Sequence, residues 1–195
     1  MWPLHKLNNL RAPFVQQAIQ THFGADSLKG ITILDIGCGA GLLAEAMATL
    51  GATVTGVDPA VRNILIARQH AQQSKLNIEY LEGSIEVIEG RCFDVVLNME
   101  VVEHVEDLIA FMAACNRAVA PGGLEIVATL NRNIRSFIFA IVGAEYILGW
   151  LPKGTHQWRK FVTPTELTRL LAADELKTFD QAGVSVNPFT RAYRV

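Results

Sequence analysis

Five β-branched runs, Ile31 to Asp35, Ala52 to Asp58, Asn77 to Glu82, Phe93 to Leu97 and Leu124 to Thr129, alternate with helical stretches. Helices are expected between them at Leu42 to Leu50, Val61 to Ser74 and Val105 to Ala120. Gly51 stops the first, and Pro121-Gly122-Gly123 stops the last. Parallel strands need crossover connections, and helices supply them. The alternation therefore predicts an α/β fold, a doubly wound and mostly parallel sheet with helices on both faces. A short helix is expected earlier, from Ala12 to Phe23. Thr163-Pro164-Thr165-Glu166 supplies an N-cap, a proline at the first helical position and a reciprocal glutamate, starting a helix that runs through Leu170 and Leu171. A final strand pattern from Leu176 to Val186 is broken by Pro188.

The 195 residues suit one domain, 1–195, with a substantial core. Half of them are hydrophobic and 18% are charged, a balance that excludes disordered and collagenous chains. A formal net charge of −2 provides no global positive field, so no nucleic-acid partner is expected. Cys38, Cys92 and Cys115 are odd in number and lack CxxC spacing, which argues against a disulfide framework or a zinc knuckle and for a reducing compartment. The first fourteen residues lack the apolar core of a signal peptide, so a cytoplasmic location is expected.

The strongest local signal is Leu34-Asp35-Ile36-Gly37-Cys38-Gly39-Ala40-Gly41, at the end of the first strand and the start of a helix. Glycines there let the backbone turn sharply and approach a ligand closely. A dinucleotide fingerprint reads GxGxxG, whereas this loop reads GxGxG with Asp35 ahead of it, where a carboxylate repels phosphate and attracts a cation. That spacing counts against a nicotinamide dehydrogenase. Asp58 closes the second strand, where folds of this kind hydrogen-bond a ribose diol. Together the two acids suit a cationic nucleoside without phosphate, a description that S-adenosylmethionine meets.

Beyond the fourth strand lies Met99-Glu100-Val101-Val102-Glu103-His104-Val105. A helix starting near Glu100 would put Glu100, Glu103 and His104 on one face at the sheet's ligand crevice. Two chemistries are then open. His104 can serve as general base toward a phenol, whose free pKa is near 10, or the three residues can hold a divalent ion, magnesium or zinc, that acidifies a bound hydroxyl. Acids in a first helical turn also simply complement the helix dipole.

The order of these elements resembles the class I methyltransferases, and the wider pattern resembles the ubiquinone-biosynthesis O-methyltransferases. The segments that carry it are Leu4-His5-Lys6-Leu7-Asn8-Asn9-Leu10-Arg11, LDIGCGAGLLAE, GATVTGVD, MEVVEHV, PGG, TLNRN, VGAEYIL and LPKGTH. The resemblance implies a Rossmann-like sheet whose last antiparallel strand is missing or cut short here. It implies S-adenosylmethionine as cofactor. Asp35, Gly37 and Gly39 would then lie at its methionine part, Asp58 on the ribose, and Ser84 and Ile85 at the adenine, where the family's usual acid is absent. Arg11 would reach the cofactor carboxylate and Met99 would line the adenosine pocket, although a surface charge and strand-end packing are plainer readings of these two. Glu100, Glu103 and His104 would bind a divalent ion or the reacting hydroxyl. The implied substrate is a polyprenylated catechol or hydroquinone, methylated on oxygen.

Residues 132–160 place a nearly continuous apolar run, Phe137 to Leu151, among five basic residues and a single acid, Glu145. The run is short of the ~20 residues a membrane-spanning helix needs. It suits docking on an anionic membrane surface, and with the resemblance this implies a cytoplasmic enzyme peripheral to the inner membrane, with other ubiquinone-biosynthesis proteins as candidate partners. A substrate cover or a partner-binding face is the other reading of the segment. Two further readings of the chain stay open, an O-methyltransferase of a soluble phenol and a non-catalytic lipid- or quinone-binding relative.

Overall fold

The computed structural model describes residues 2–129 and 162–183, together with two short strands at 185–186 and 193–194. The apolar segment at 132–160 lies outside the described residues. Five strands form the main sheet: β1 (Thr32–Ile36), β2 (Thr53–Asp58), β3 (Ile78–Glu82), β4 (Phe93–Met99) and β5 (Val119–Ala128). Their order is β3-β2-β1-β4-β5 and every pairing is parallel. Helices α1 (Trp2–Phe23), α2 (Leu42–Thr49), α3 (Val61–Gln73), α4 (Leu108–Arg117) and α5 (Pro164–Ala172) accompany it, with a 3-10 turn at Ile85–Ile88. The expected α/β sheet is therefore present.

Both faces of the sheet are covered, which is why its strands read as near-continuous apolar runs. Ile33, Val54, Val95 and Leu97 pack into one core with Val15 and Ile19 of α1, Leu43 and Met47 of α2, and Ile64 of α3. Leu34, Ile36, Val57 and Val96 pack into the other with the 3-10 turn, Phe111, Met112 and Cys115 of α4, and α5. Side chains that are fully buried in this way stabilise the fold by about 1.5–3 kcal/mol each. Strand order reverses at β1, which has β2 on one side and β4 on the other. The crevice outside the ends of β1 and β4 is thus the place where such sheets bind ligands.

Several local expectations are corrected. Helix α1 runs from Trp2 through Pro13 instead of starting at Ala12, and its early part is tied to α2 by Asn8, whose side-chain amide donates to the Leu42 carbonyl at 3.2 Å. Pro121-Gly122-Gly123 does not merely stop a helix. It lies inside β5 as an irregularity between the Phe93–Val119 and Val95–Leu124 pairings, with Gly122 at φ 77°. The strand expected over 176–186 is limited to Ser185–Val186, which pairs antiparallel with Tyr193–Arg194 apart from the main sheet. By contrast, the Thr163 capping box with Pro164 forms as expected, Glu166 receiving the Thr163 amide at 2.8 Å.

Glu125 of β5 is a buried carboxylate with neither oxygen hydrogen-bonded. Burial, reinforced by nearby Asp174, pushes its pKa up to about 8. An acid whose folded pKa is raised contributes stability that is complete below its unfolded pKa and is lost as pH rises toward the folded value. Between about pH 4.5 and 8, Glu125 therefore steepens the fall in stability. Glu125→Gln is expected to flatten that slope and to raise stability at pH 8.5 by roughly 1–3 kcal/mol in chemical denaturation. An unchanged pH slope would show that the carboxyl finds a partner.

Candidate functional site

Three glycines in the loop between β1 and α2 adopt left-handed backbone, Gly37 at φ 67°, Gly39 at 56° and Gly41 at 83°. Residues with a Cβ resist this region, so glycine lowers the cost of so tight a turn. The Gly41 amide donates to the Cys38 carbonyl at 3.0 Å, and the Cys38 amide donates to the Val57 carbonyl at 3.0 Å. The loop is thereby stitched to the end of β2.

Asp58, at that end, is 7% exposed and braces the loop. Its Oδ2 accepts from the Gly39 amide at 2.9 Å, while Oδ1 accepts from the Ala60 amide at 2.8 Å and from Asn63 Nδ2 at 3.0 Å. Each carboxylate oxygen has two acceptor positions, so Oδ1 is filled and Oδ2 keeps one position for a ligand hydroxyl. The next loop joins the same residue, since the Gly83 amide donates to the Asp58 carbonyl at 3.1 Å. Ser84 is exposed beyond it, and Ile85 is buried in the second core.

Asp35 is 3% exposed, and its Oδ2 has no hydrogen-bond partner. Desolvation pushes its pKa up to about 7, opposed by the Arg11 charge and by a hydrogen bond from the Ala44 backbone. A buried carboxyl with a free oxygen at the head of a glycine loop is a receptor for a cation or a hydrogen-bond donor. The ammonium of an S-adenosylmethionine methionyl group has that chemistry, and the residues present fit this cofactor.

Arg11 reaches the same end of the sheet from α1 and forms an ion pair with Glu100. Glu100 does not start a helix. It takes φ 61°, which turns the chain at the end of β4, and its amide donates to the Ala128 carbonyl at 2.7 Å. Residues 101–107 form turns, and α4 begins only after Asp107, whose Oδ1 caps the Ala110 amide at 3.0 Å. The expected helical face carrying Glu100, Glu103 and His104 is thus corrected to a loop. Glu103 is buried, accepts from the Thr129 hydroxyl at 3.1 Å and has its pKa raised by desolvation. His104 is exposed. Among the described residues, no three His, Cys, Asp or Glu are grouped as ligands of one metal ion. With Glu100 paired to Arg11, Glu103 turned to Thr129 and His104 open to solvent, the three residues in this arrangement do not fit a magnesium or zinc site.

Met99 is half-buried at the end of β4, packed against the core that includes α1 and α2. Three contributors were not read from the sequence. Asn63, five residues beyond Asp58 in the first turn of α3, was within reach of a local reading. Val101 lies so close over Gly37 that a Cβ there would meet its Cγ2 at 2.4 Å. Tyr80 of β3 lies similarly against Gly41 and Gly56. These last two contacts join distant parts of the chain and leave no local signal.

A family model described as a methyltransferase domain matches residues 7–179. The chain is 49% identical to the ubiquinone biosynthesis O-methyltransferase of Methylocella silvestris, covering 100% of this chain and 81% of that protein. It is 51% identical to the protein of the same name from Dinoroseobacter shibae, covering 98% and 80%. The fold is shared with the magnesium protoporphyrin IX methyltransferase of Synechocystis solved with bound SAH, at a TM-score of 0.71 and 18% identity over 94% of this chain and 80% of that one. With half of its residues shared along nearly its whole length, the chain belongs to the ubiquinone biosynthesis O-methyltransferase family.

Proposed function

We propose that the chain transfers the methyl group of S-adenosylmethionine to a catechol-type hydroxyl of a polyprenylated ubiquinone precursor. The observation that carries the cofactor is the buried Asp35, whose Oδ2 has no hydrogen-bond partner, at the head of a glycine loop braced by Asp58. The names of its relatives support the substrate. In this reading residues 1–195 act as one domain.

The cofactor supplies an electrophilic methyl on a sulfonium. When bound, it would give up that methyl to the substrate hydroxyl and leave as a neutral thioether. Asp35 would receive the methionyl ammonium, Arg11 the carboxylate and Asp58 the ribose, while Gly37 and Gly39 would leave room for close approach. Met99, Ser84 and Ile85 border the adenosine. The hydroxyl proton passes to His104, which is open to solvent, with Glu103 buried beside it in the same loop. Positioning of the two reactants supplies much of the rate.

No helix among the described residues is long and apolar enough to cross a membrane. We infer that a tailed substrate is reached by peripheral docking on the cytoplasmic face of the inner membrane, a reading supported by the basic residues that flank the apolar run within 132–160. Contact with other biosynthesis proteins would use the same access.

The test is transfer from labelled S-adenosylmethionine to a polyprenyl catechol in anionic liposomes. Transfer that weakens on tail-free phenols and on neutral liposomes is expected. Equal rates on soluble phenols would move the substrate to a small soluble compound, and no transfer with cofactor bound would make the chain a non-catalytic binder. A chelator arm followed by magnesium or zinc distinguishes the deprotonating device. Resistance leaves His104 as a simple base, whereas loss and recovery would require the Glu100–His104 loop to rearrange around an ion.

A further inference from the structure

Glu100 occupies an unusual position. It is a non-glycine residue in left-handed backbone, a conformation that residues with a Cβ resist, held by the hydrogen bond from the Glu100 amide to the Ala128 carbonyl. Backbone strain of this kind persists where the surroundings fix it, and here it directs a carboxylate onto Arg11. Arg11 in turn is carried by α1, whose next turns place Val15 and Ile19 wholly inside the core. Its side chain is 20% exposed, and the same guanidinium lies near enough to Asp35 to favour that group's ionised form. One cation from α1 thus spans the ends of β4 and β1, the two strands at the point where the sheet order reverses.

An unrestrained arginine loses rotamer entropy when it is ordered on a ligand. A guanidinium already held by a carboxylate has paid part of that cost, and its five N–H groups leave donors for a second carboxylate. We infer that Glu100 is a positioning residue that holds Arg11 over the cofactor's methionyl end, acting on cofactor affinity through Arg11. The inference rests on S-adenosylmethionine as cofactor and is independent of which hydroxyl is methylated.

The test is a double-mutant cycle on binding alone, read by calorimetry with S-adenosylmethionine and with 5′-methylthioadenosine, which lacks the amino-acid end. Glu100→Gln is expected to weaken S-adenosylmethionine about 10-fold, the scale of one charge-assisted contact. In an Arg11→Met background, the same change is expected to have less than about a two-fold effect, because the residue it acts through is gone. Binding of 5′-methylthioadenosine is expected to stay within about two-fold in both single variants and in the double variant, which also shows that the nucleoside pocket remains folded. Additive losses in the cycle would overturn the inference, as would equal weakening of 5′-methylthioadenosine or no effect of Glu100→Gln. A wild-type chain that binds neither compound would instead remove the cofactor reading itself.

Discussion

Asp58→Ala is expected to lower S-adenosylmethionine affinity by about 100-fold or more, equivalent to roughly 2.8 kcal/mol, in calorimetric titration. Two effects combine. The substitution removes the carboxylate proposed to receive the ribose, and it also releases the Gly39 amide, the Ala60 amide and Asn63 Nδ2 from their acceptor. Hydrogen bonds to a charged group contribute about 1.5–3 kcal/mol each, and two of these donors belong to loops that shape the site. A fall in melting temperature is expected alongside, at about 2–4 °C per kcal/mol lost for a chain of this size. Asp58→Asn keeps the shape and one good acceptor but turns an amide toward a backbone N–H, so an intermediate loss is expected. If the melting temperature fell while the affinity of the folded protein was unchanged, Asp58 would be a brace only, and the ribose assignment would be withdrawn.

What was legible in the sequence was what short stretches determine. The β1–loop–α2 unit could be read because the apolar strand, the GxGxG turn and the following helix are contiguous, and Asp58 because it ends the next strand. The capping box at Thr163 is equally local and forms as read. The stretch after β4 misled for a physical reason. Glu100-Val101-Val102-Glu103-His104 has acceptable helical spacing, but Glu100 adopts positive φ without being glycine, a choice imposed by its backbone bond to Ala128 and recorded nowhere in the residue pattern. The consequence is a different pairing, since Glu100 faces Arg11 while Glu103 turns inward to Thr129. Pro121-Gly122-Gly123 was similarly ambiguous, because a helix stop and a strand irregularity use the same residues. Glu125 was unreadable for a third reason, since burial of its carboxylate depends on what α4 and α5 place around β5.

The wedge formed by Tyr80 yields the second large effect. A Cβ on Gly41 would lie 2.3 Å from the Tyr80 hydroxyl, 3.0 Å from its ring carbon Cζ and 3.1 Å from Ala67 Cβ, at a backbone φ of +83°. Gly41→Ala is therefore expected to cost about 3 kcal/mol, of which 1–2 kcal/mol comes from left-handed backbone and the rest from displaced neighbours, lowering the melting temperature by roughly 6–12 °C. The Tyr80 hydroxyl is buried without a hydrogen-bond partner, so Tyr80→Phe alone is expected to be neutral or slightly stabilising, within about 0.5 kcal/mol. Combining the two removes the nearest atom and is expected to recover about 1 kcal/mol, leaving the backbone strain and the contacts with the ring carbon Cζ and Ala67. Gly56 provides the control. Its Cβ would meet Tyr80 at the ring carbons Cδ1 and Cε1, both at 2.8 Å, which phenylalanine retains. Tyr80→Phe is thus expected to rescue Gly41→Ala and not Gly56→Ala in thermal denaturation. Equal rescue of both would mean that Tyr80 relaxes as a whole ring, and rescue of neither that the glycine loop moves away as a unit.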